Sequence, residues 1–272
     1  MTLANRESRA LRLATYNIHK CRGMDGRIAP QRIAGVLRTI QADVVALQEV
    51  VCGRNSEDFD QLLFLARELD YPHWAFGETR KWRAVPYGNA TLSRLPILHW
   101  QNVDVTQRRC ERRACLRTDL HIEGHAAPLH LFNTHLGTAF LERRAQGHRL
   151  LGSDLLANPA LTGPRIMLGD FDEWTHGLCS RMLCGELARI ELAPLLGRAR
   201  SYPGVFPLLH LDQIYYERSL QLLRFELHRT RAALIASDHL PLSADFALPL
   251  DMPATPLPSH TPAHSREEHR QI

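Results

Sequence analysis

The sequence predicts an α+β fold in which two mixed β-sheets pack face to face with helices outside. Strand-like apolar runs far outnumber helical patterns, and the helices are few and well spaced along the chain. A helix-between-strands layout also recurs in the two halves, without an obvious sequence repeat. A single domain over 11–248 follows, with a flexible lead at 1–10 and a Pro-rich, disordered tail at 249–272.

Taken in order, 11–18 (LRLATYNI) alternates as a strand and ends on Asn17 and His19. A Gly-containing loop, 21–27, precedes Pro30, which opens a helix over 31–41 with Ile33, Val36, Leu37 and Ile40 on one face. The run 43–47 (DVVAL) is continuously apolar, as a strand buried on both faces requires, and it stops at Gln48-Glu49. A polar loop at 52–58 leads into a helix over 58–69, then a short strand at 71–76 and a basic loop at 77–86. Segments 87–93 and 97–105 read as a hairpin around Arg94-Leu95-Pro96. Segments 114–122 and 128–134 read as a second, turned at Glu123-Gly124 and ending on Asn133-Thr134-His135.

A long helical pattern covers 139–156. Strand 164–168 stops at Gly169-Asp170-Phe171-Asp172, and 176–192 reads as helical. An aromatic, Pro-rich loop (201–209) precedes strand 211–216, which carries Asp212. A strand at 220–228 follows, then a buried-looking run at 232–236, Ser237-Asp238-His239, and a last strand at 242–248.

Composition narrows the function. A hydrophobic fraction of 44% and a charged fraction of 23% place the chain among globular proteins rather than disordered ones. Net charge is +4, and only Lys20 and Lys81 among the 33 basic residues are lysine. Arginine suits bidentate phosphate contact, and the runs 80–83 and 108–113 are candidates for an anion-facing surface. The six cysteines form no CxxC pair and no zinc-ligand spacing, so reduced and mostly buried thiols are expected. Residues 1–12 are polar and carry Arg6, Arg9 and Arg12, without the apolar core of a signal sequence. No apolar run reaches about 18 residues, so no transmembrane segment is expected. The expected location is cytoplasmic, and no segment calls for an obligate protein partner.

The polar residues at the strand ends form one set: Asn17, Glu49, His135, Asp170, Asp172, Asp212, Asp238 and His239. Groups on rigid strand ends are what a preorganised site needs. Glu49 with Asp238 or Asp170 offers the hard oxygen ligands that Mg²⁺ takes alongside substrate phosphate. The two histidines suit phosphate contact or proton transfer, and Asp212 can orient His239. Such a set supports metal-assisted attack of water on a phosphoester.

Seven segments carry a resemblance, in order: TYNIHK (15–20), LQEV (47–50), YGNATLSRLPI (87–97), NTHLG (133–137), LGDFDEW (168–174), LDQIY (211–215) and SDHLPL (237–242). Together they resemble the endonuclease/exonuclease/phosphatase superfamily, nearest to small bacterial members of uncharacterised physiology. The resemblance implies a four-layer αββα sandwich and a Mg²⁺-dependent phosphoesterase, with Mn²⁺ as a substitute. It implies Glu49 as the principal metal ligand and Asp238 as a further one. Asp170 would orient or deprotonate the attacking water, while His135 and His239 contact the phosphate. Asp212 would pair with His239, and Asn17 would orient phosphate or a metal-bound water. Asn89 and Arg94 lie in a segment that often lines the substrate groove, with His19 beside them as a groove residue.

Two positions depart from the family pattern. Asp172 stands where Asn is usual, and an ionised carboxylate can only accept hydrogen bonds where an amide donates. His19 stands where repair nucleases commonly have Asp. The expected substrate is a phosphodiester of a nucleic acid or a phospholipid head group. A soluble phosphomonoester such as an inositol phosphate is the alternative, and Asp172 also keeps a catalytically weakened phosphate-binding module open.

Overall fold

The computed structural model describes residues 10–53, 60–173, 177–191 and 211–248. The N-terminal lead, most of the polar loop before the second helix, the aromatic, Pro-rich loop at 201–209 and the C-terminal tail lie outside the described residues, as does Trp174.

Twelve strands and five helices are formed among the described residues. In chain order they are β1 (Ala10–Asn17), α1 (Pro30–Ile40), β2 (Val44–Val51), α2 (Gln61–Glu68), β3 (His73–Trp82), β4 (Val85–Ser93), β5 (Ile97–Asp104), β6 (Ala114–Leu120) and β7 (Leu129–His135). There follow α3 (Phe140–Leu150), β8 (Arg165–Asp170), α4 (Leu178–Glu186), β9 (Ala188–Arg189), β10 (Asp212–Tyr216), β11 (Gln221–Leu227), α5 (Arg231–Ala236) and β12 (Leu242–Ala247). One six-stranded sheet runs β11-β12-β1-β2-β4-β3 and the other β5-β6-β7-β8-β10-β9. Each contains one parallel pair joined through a helix, β1-α1-β2 and β7-α3-β8, and this is the recurring layout seen in the sequence.

Strand alternation sorts the side chains into layers. Leu11 and Leu13 of β1, Val44 and Ala46 of β2, and Leu242, Ala244 and Phe246 of β12 face the opposing sheet. There they meet Leu129, Leu131, Ile166, Leu168 and Ile214. The intervening residues Ala14, Tyr16, Val45 and Leu47 face outward and are covered by Ile33, Leu37 and Ile40 of α1, Leu62 and Leu65 of α2 and Ala233 of α5. Behind the second sheet, Phe132, Met167 and Tyr215 pack against Leu150 of α3 and Cys179 and Leu183 of α4. The result is the expected α+β sandwich of helices, two sheets and helices. Each fully buried Leu or Ile contributes about 1.5–3 kcal/mol.

Local chemistry sets the helix ends. Pro30 occupies the first helical position of α1, and Gln41 closes that helix in the left-handed conformation at φ 53°. The Asp60 carboxylate accepts from Leu63 N at 2.9 Å to cap α2, and the Thr230 hydroxyl accepts from Ala233 N at 3.1 Å to cap α5.

Several expectations need correction. The basic stretch at 77–86 is not a loop: β3 and β4 run through it as a hairpin, Trp82 opposite Val85. Its two turn residues, Arg83 and Ala84, both have positive φ (49° and 68°), and neither is the Asn or Gly that marks such turns in a sequence. Segments 87–93 and 97–105 do not pair with each other. β4 lies between β2 and β3, whereas β5 edges the other sheet, so Arg94-Leu95-Pro96 crosses from one layer to the next. The helical reading of 176–192 ends at Glu186, because Ala188 and Arg189 add a short strand beside β10. Residues 231–236 are helix. Strand β2 does not stop at Glu49 but continues to Val51 across a bulge.

Candidate active site

The alternation that builds the core also builds the site. Following the inward-facing positions to one end of the sandwich, the apolar side chains give way to polar ones: Asn17 on β1, Gln48 on β2, Asn133 and His135 on β7, Asp170 on β8 and Asp212 on β10. In β8 the inward series is Ile166, Leu168, Asp170. In β7 it is Leu129, Leu131, Asn133, His135.

Beneath the site lies a polar seam joining the sheets. The Asn133 amide donates to Leu47 O (3.1 Å) and Ala90 O (2.8 Å) and accepts from Gln48 Nε2 at 2.8 Å. Thr118 and Thr91 meet at 3.2 Å across the same interface. Asn89 belongs to this seam: it is 1% exposed, and its Nδ2 donates to Ala114 O at 3.0 Å. The groove role expected of it gives way to one between the sheets.

Asp170 is the centre. It is 1% exposed, its Oδ2 accepts from Asn17 Nδ2 at 2.8 Å, and its Oδ1 accepts from Asp172 N at 3.0 Å. His135 Nε2 and His239 Nε2 approach Oδ2 at 3.5 and 3.6 Å. Burial alone would raise the Asp170 pKa, but the charges of His135 and His239 and the two hydrogen bonds outweigh it and hold the group below the ordinary value. The preceding Gly169 is required by space and backbone. Its φ is 141°, and a Cβ there would lie 1.9 Å from Thr134 O of the neighbouring strand.

His239 Nδ1 donates to Asp212 Oδ2 at 2.8 Å, which leaves Nε2 facing Asp170. Burial would depress the imidazole, yet Asp212, Asp170 and Asp238 raise it to about 10. Burial pushes Asp212 up to about 6, against the pull of His239. Between those values the two form an imidazolium–carboxylate pair.

Glu49 occupies the bulge of β2 at φ 60°, opposite Asn89, where two residues face one. The bulge turns its carboxylate to the rim instead of into the sheet. Burial would raise its pKa, but His135, Lys20 and His19 lower it to about 2. The Lys20 ammonium is bound directly to this carboxylate. Lys20 sits in a turn with three successive residues at positive φ, His19 (45°), Lys20 (59°) and Cys21 (55°). No sequence expectation singled out Lys20, although it closes the TYNIHK segment and is one of only two lysines. His19 Nδ1 lies 3.4 Å from Asp238 Oδ1, so Asp238 pairs with His19 and not with its neighbour His239.

Arg94 is far from these groups. It follows Ser93, which pairs with Val44 at the start of β2, whereas Glu49 lies near that strand's end. The Arg94 guanidinium stacks 5.3 Å from the Tyr71 ring. The hairpin expected around residue 94 would have kept it near the groove, and the crossover between sheets removes it.

The metal expectation rested on Glu49 and Asp238. Among the described residues, the group whose ligand atoms converge is His135, Asp170 and Asp172, all within 4.8 Å of one another. Asp172 Oδ2 lies 3.6 Å from His135 Nε2, so an imidazole faces the carboxylate that replaces the usual Asn. Around the site, the carboxyl groups of Glu49, Asp170, Asp172, Asp212 and Asp238 stand among Lys20 and the imidazoles of His19, His135 and His239. Such a donor set fits a hard divalent cation and resists a bare anion.

Residues 14–239 match the Endonuclease/Exonuclease/phosphatase family. The chain belongs to this family. Within it, the chain is 31% identical over 255 residues to the uncharacterised protein YbhP of Escherichia coli K12, covering 88% of this chain and 97% of that protein. Solved structures share the fold. An endonuclease/exonuclease/phosphatase from Beutenbergia cavernae superposes with a TM-score of 0.71 at 23% identity, over 88% of this chain and 72% of that one. The human Nocturnin catalytic domain with bound sulfate does so at 0.68 and 22%, over 87% and 94%. A mannosyl-6-phosphatase of Bacteroides thetaiotaomicron reaches 0.66 at 15%, over 88% and 100%. Family members act on phosphoesters, and the family includes phosphodiesterases, nucleases and phosphatases.

Proposed function

We propose that the chain is a divalent-metal-dependent hydrolase of a phosphodiester. The observation that carries this is the convergence of Asn17, His135 and His239 on Asp170, with Asp212 behind His239. In this reading Asp170 orients the attacking water and takes its proton. The 3.6 Å between His239 Nε2 and Asp170 Oδ2 is too long for a hydrogen bond and leaves the imidazolium N–H free for a phosphoryl oxygen. His135 holds a second oxygen. A divalent cation, Mg²⁺ first and Mn²⁺ as substitute, held by Glu49 with Asp238 or by the His135, Asp170 and Asp172 group, would neutralise charge on the phosphoryl and leaving oxygens.

The sulfate named with the Nocturnin structure supports a tetrahedral oxyanion as ligand of this fold, and the mannosyl-6-phosphatase marks a phosphomonoester as the alternative substrate class. Hydrolysis of a generic phosphodiester with Mg²⁺, with and without EDTA, tests the reading. Replacing His239 or Asp170 by Ala should abolish turnover while the fold persists, and full activity in either variant would sink the assignment. A panel of duplex DNA, RNA, phospholipids and inositol phosphates then assigns the substrate. Binding of a phosphorylated ligand without metal-dependent turnover would favour the binding module.

A further inference from the structure

Seven large apolar side chains are exposed among the described residues. Five of them lie on segments at the end of the sandwich that holds the site: Phe140 (52%), Leu141 (71%), Met24 (55%), Ile28 (53%) and Ile235. The other two, Leu98 at the start of β5 and Leu223 in β11, lie toward the opposite end. Phe140 and Leu141 open α3, just beyond His135. Met24 and Ile28 sit in the loop that leaves β1, and Met24 N donates to Ile235 O at 3.0 Å, which joins this loop to α5 beside Asp238.

The same end has a basic flank beside the acidic cleft. One flank is made of the β3–β4 hairpin tip, the 107–113 loop and the start of α3. Arg80 pairs with Glu111 at 2.5 Å, and Glu142 of α3 interacts with Cys110 of the same loop. Tyr87 connects this flank to the site, with Arg80 4.5 Å from its ring on one side and Lys20 5.6 Å away on the other. Segments 80–83, 107–113 and 138–144 hold nine basic and two acidic residues, although the whole chain has a net charge of only +4. Lys81, Arg83, Arg108, Arg109, Arg112 and Arg144 are exposed.

We propose that this rim docks on the surface of an anionic lipid bilayer and that the substrate is a phosphodiester presented there. This inference rests on the hydrolase reading for its substrate. Exposed cations beside protruding apolar side chains suit the boundary between head groups and acyl chains, where the cations meet lipid phosphates and the apolar groups leave water. A nucleic acid would use the arginines but would leave Leu141, Met24, Ile28 and Ile235 without a partner, since bases stack on aromatic rather than aliphatic groups.

Cosedimentation of the full chain, in EDTA and at low salt, with vesicles of phosphatidylcholine alone or mixed equally with phosphatidylglycerol tests the surface. Binding to the mixed vesicles and little to phosphatidylcholine alone is expected. The double variant Phe140→Ser/Leu141→Ser should lower partitioning about tenfold or more. In the triple variant Arg108→Ser/Arg109→Ser/Arg112→Ser the expected loss is about fivefold for each arginine removed. Circular dichroism establishes that the variants fold. The inference is overturned if the chain stays in the supernatant with the anionic vesicles, or if both variants bind as the parent does. Duplex DNA binding or self-association in place of vesicle binding overturns it too. Because EDTA removes turnover, this result is independent of whether the chain hydrolyses a soluble phosphodiester.

Discussion

His239 Nδ1 and Asp212 Oδ2 meet at 2.8 Å, although twenty-seven positions separate them in sequence. Asp212 and Asp170 are also directly opposite in the antiparallel pair β10–β8. One strand pairing thus places both carboxyl groups on either side of a single imidazole. Its raised pKa, about 10, is maintained by those neighbours against burial. The stabilisation from the imidazolium is therefore fully present below about 6.5, the value for an unfolded histidine. It is lost as pH rises through about 10. Asp212→Asn should move the His239 titration down toward about 6.5, measured from its ring resonances by NMR. An unchanged titration would mean that Asp212 does not hold the imidazolium.

Lys20 is paired with the Glu49 carboxylate, the group proposed above to hold the metal. Lys20→Met keeps the length of the side chain and removes its charge. Calorimetric titration with Mg²⁺ should show about tenfold or greater tightening, the equivalent of one partly buried charge contact of about 1.4 kcal/mol. Weaker binding in this variant would remove Glu49 from the metal site.

Asp172 contributes one of three converging ligand atoms with His135 and Asp170. If that group takes part in holding the metal, Asp172→Asn should weaken Mn²⁺ binding about tenfold, again by calorimetry. Unaltered affinity would restrict Asp172 to its contact with His135.

Asn133 is fully buried and has three hydrogen-bond partners on the facing sheet. Asn133→Ala removes three hydrogen bonds from a buried layer: Leu47 O and Ala90 O each lose a donor, and Gln48 Nε2 keeps only Thr15 Oγ1 and Ala46 O. Urea denaturation should show a loss of about 3 kcal/mol. A loss under about 1 kcal/mol would mean that water replaces the amide.

The layered fold was legible because alternation and periodicity are local properties. Leu11, Leu13 and Thr15 could be assigned one face of β1 without knowledge of any partner. The pairing of Asp212 with His239 was legible through the family motifs. What escaped depended on partners distant in sequence or on unusual turns. Arg83 and Ala84 adopt left-handed conformations without Gly or Asn, so nothing in the sequence marks this hairpin turn. Asn89 looked like a groove residue because nothing local announces that the opposing sheet uses its amide. The position of Arg94 depends on the crossover that carries the chain to the second sheet, which no local pattern announces. Lys20 is inconspicuous in the sequence because a basic residue after a strand is ordinary, and only the fold brings Glu49 against it.

The site inherits its reading frame from the core. The inward series of β8 carries Ile166 and Leu168 into the sandwich and Asp170 into the cleft. A single residue inserted or deleted within β8 would turn the two apolar side chains outward and bring Gly169 or Phe171 to the place of the carboxylate. Chemistry and folding therefore fail together under a frameshifted strand, and only the loops between strands can change length without moving the carboxylate.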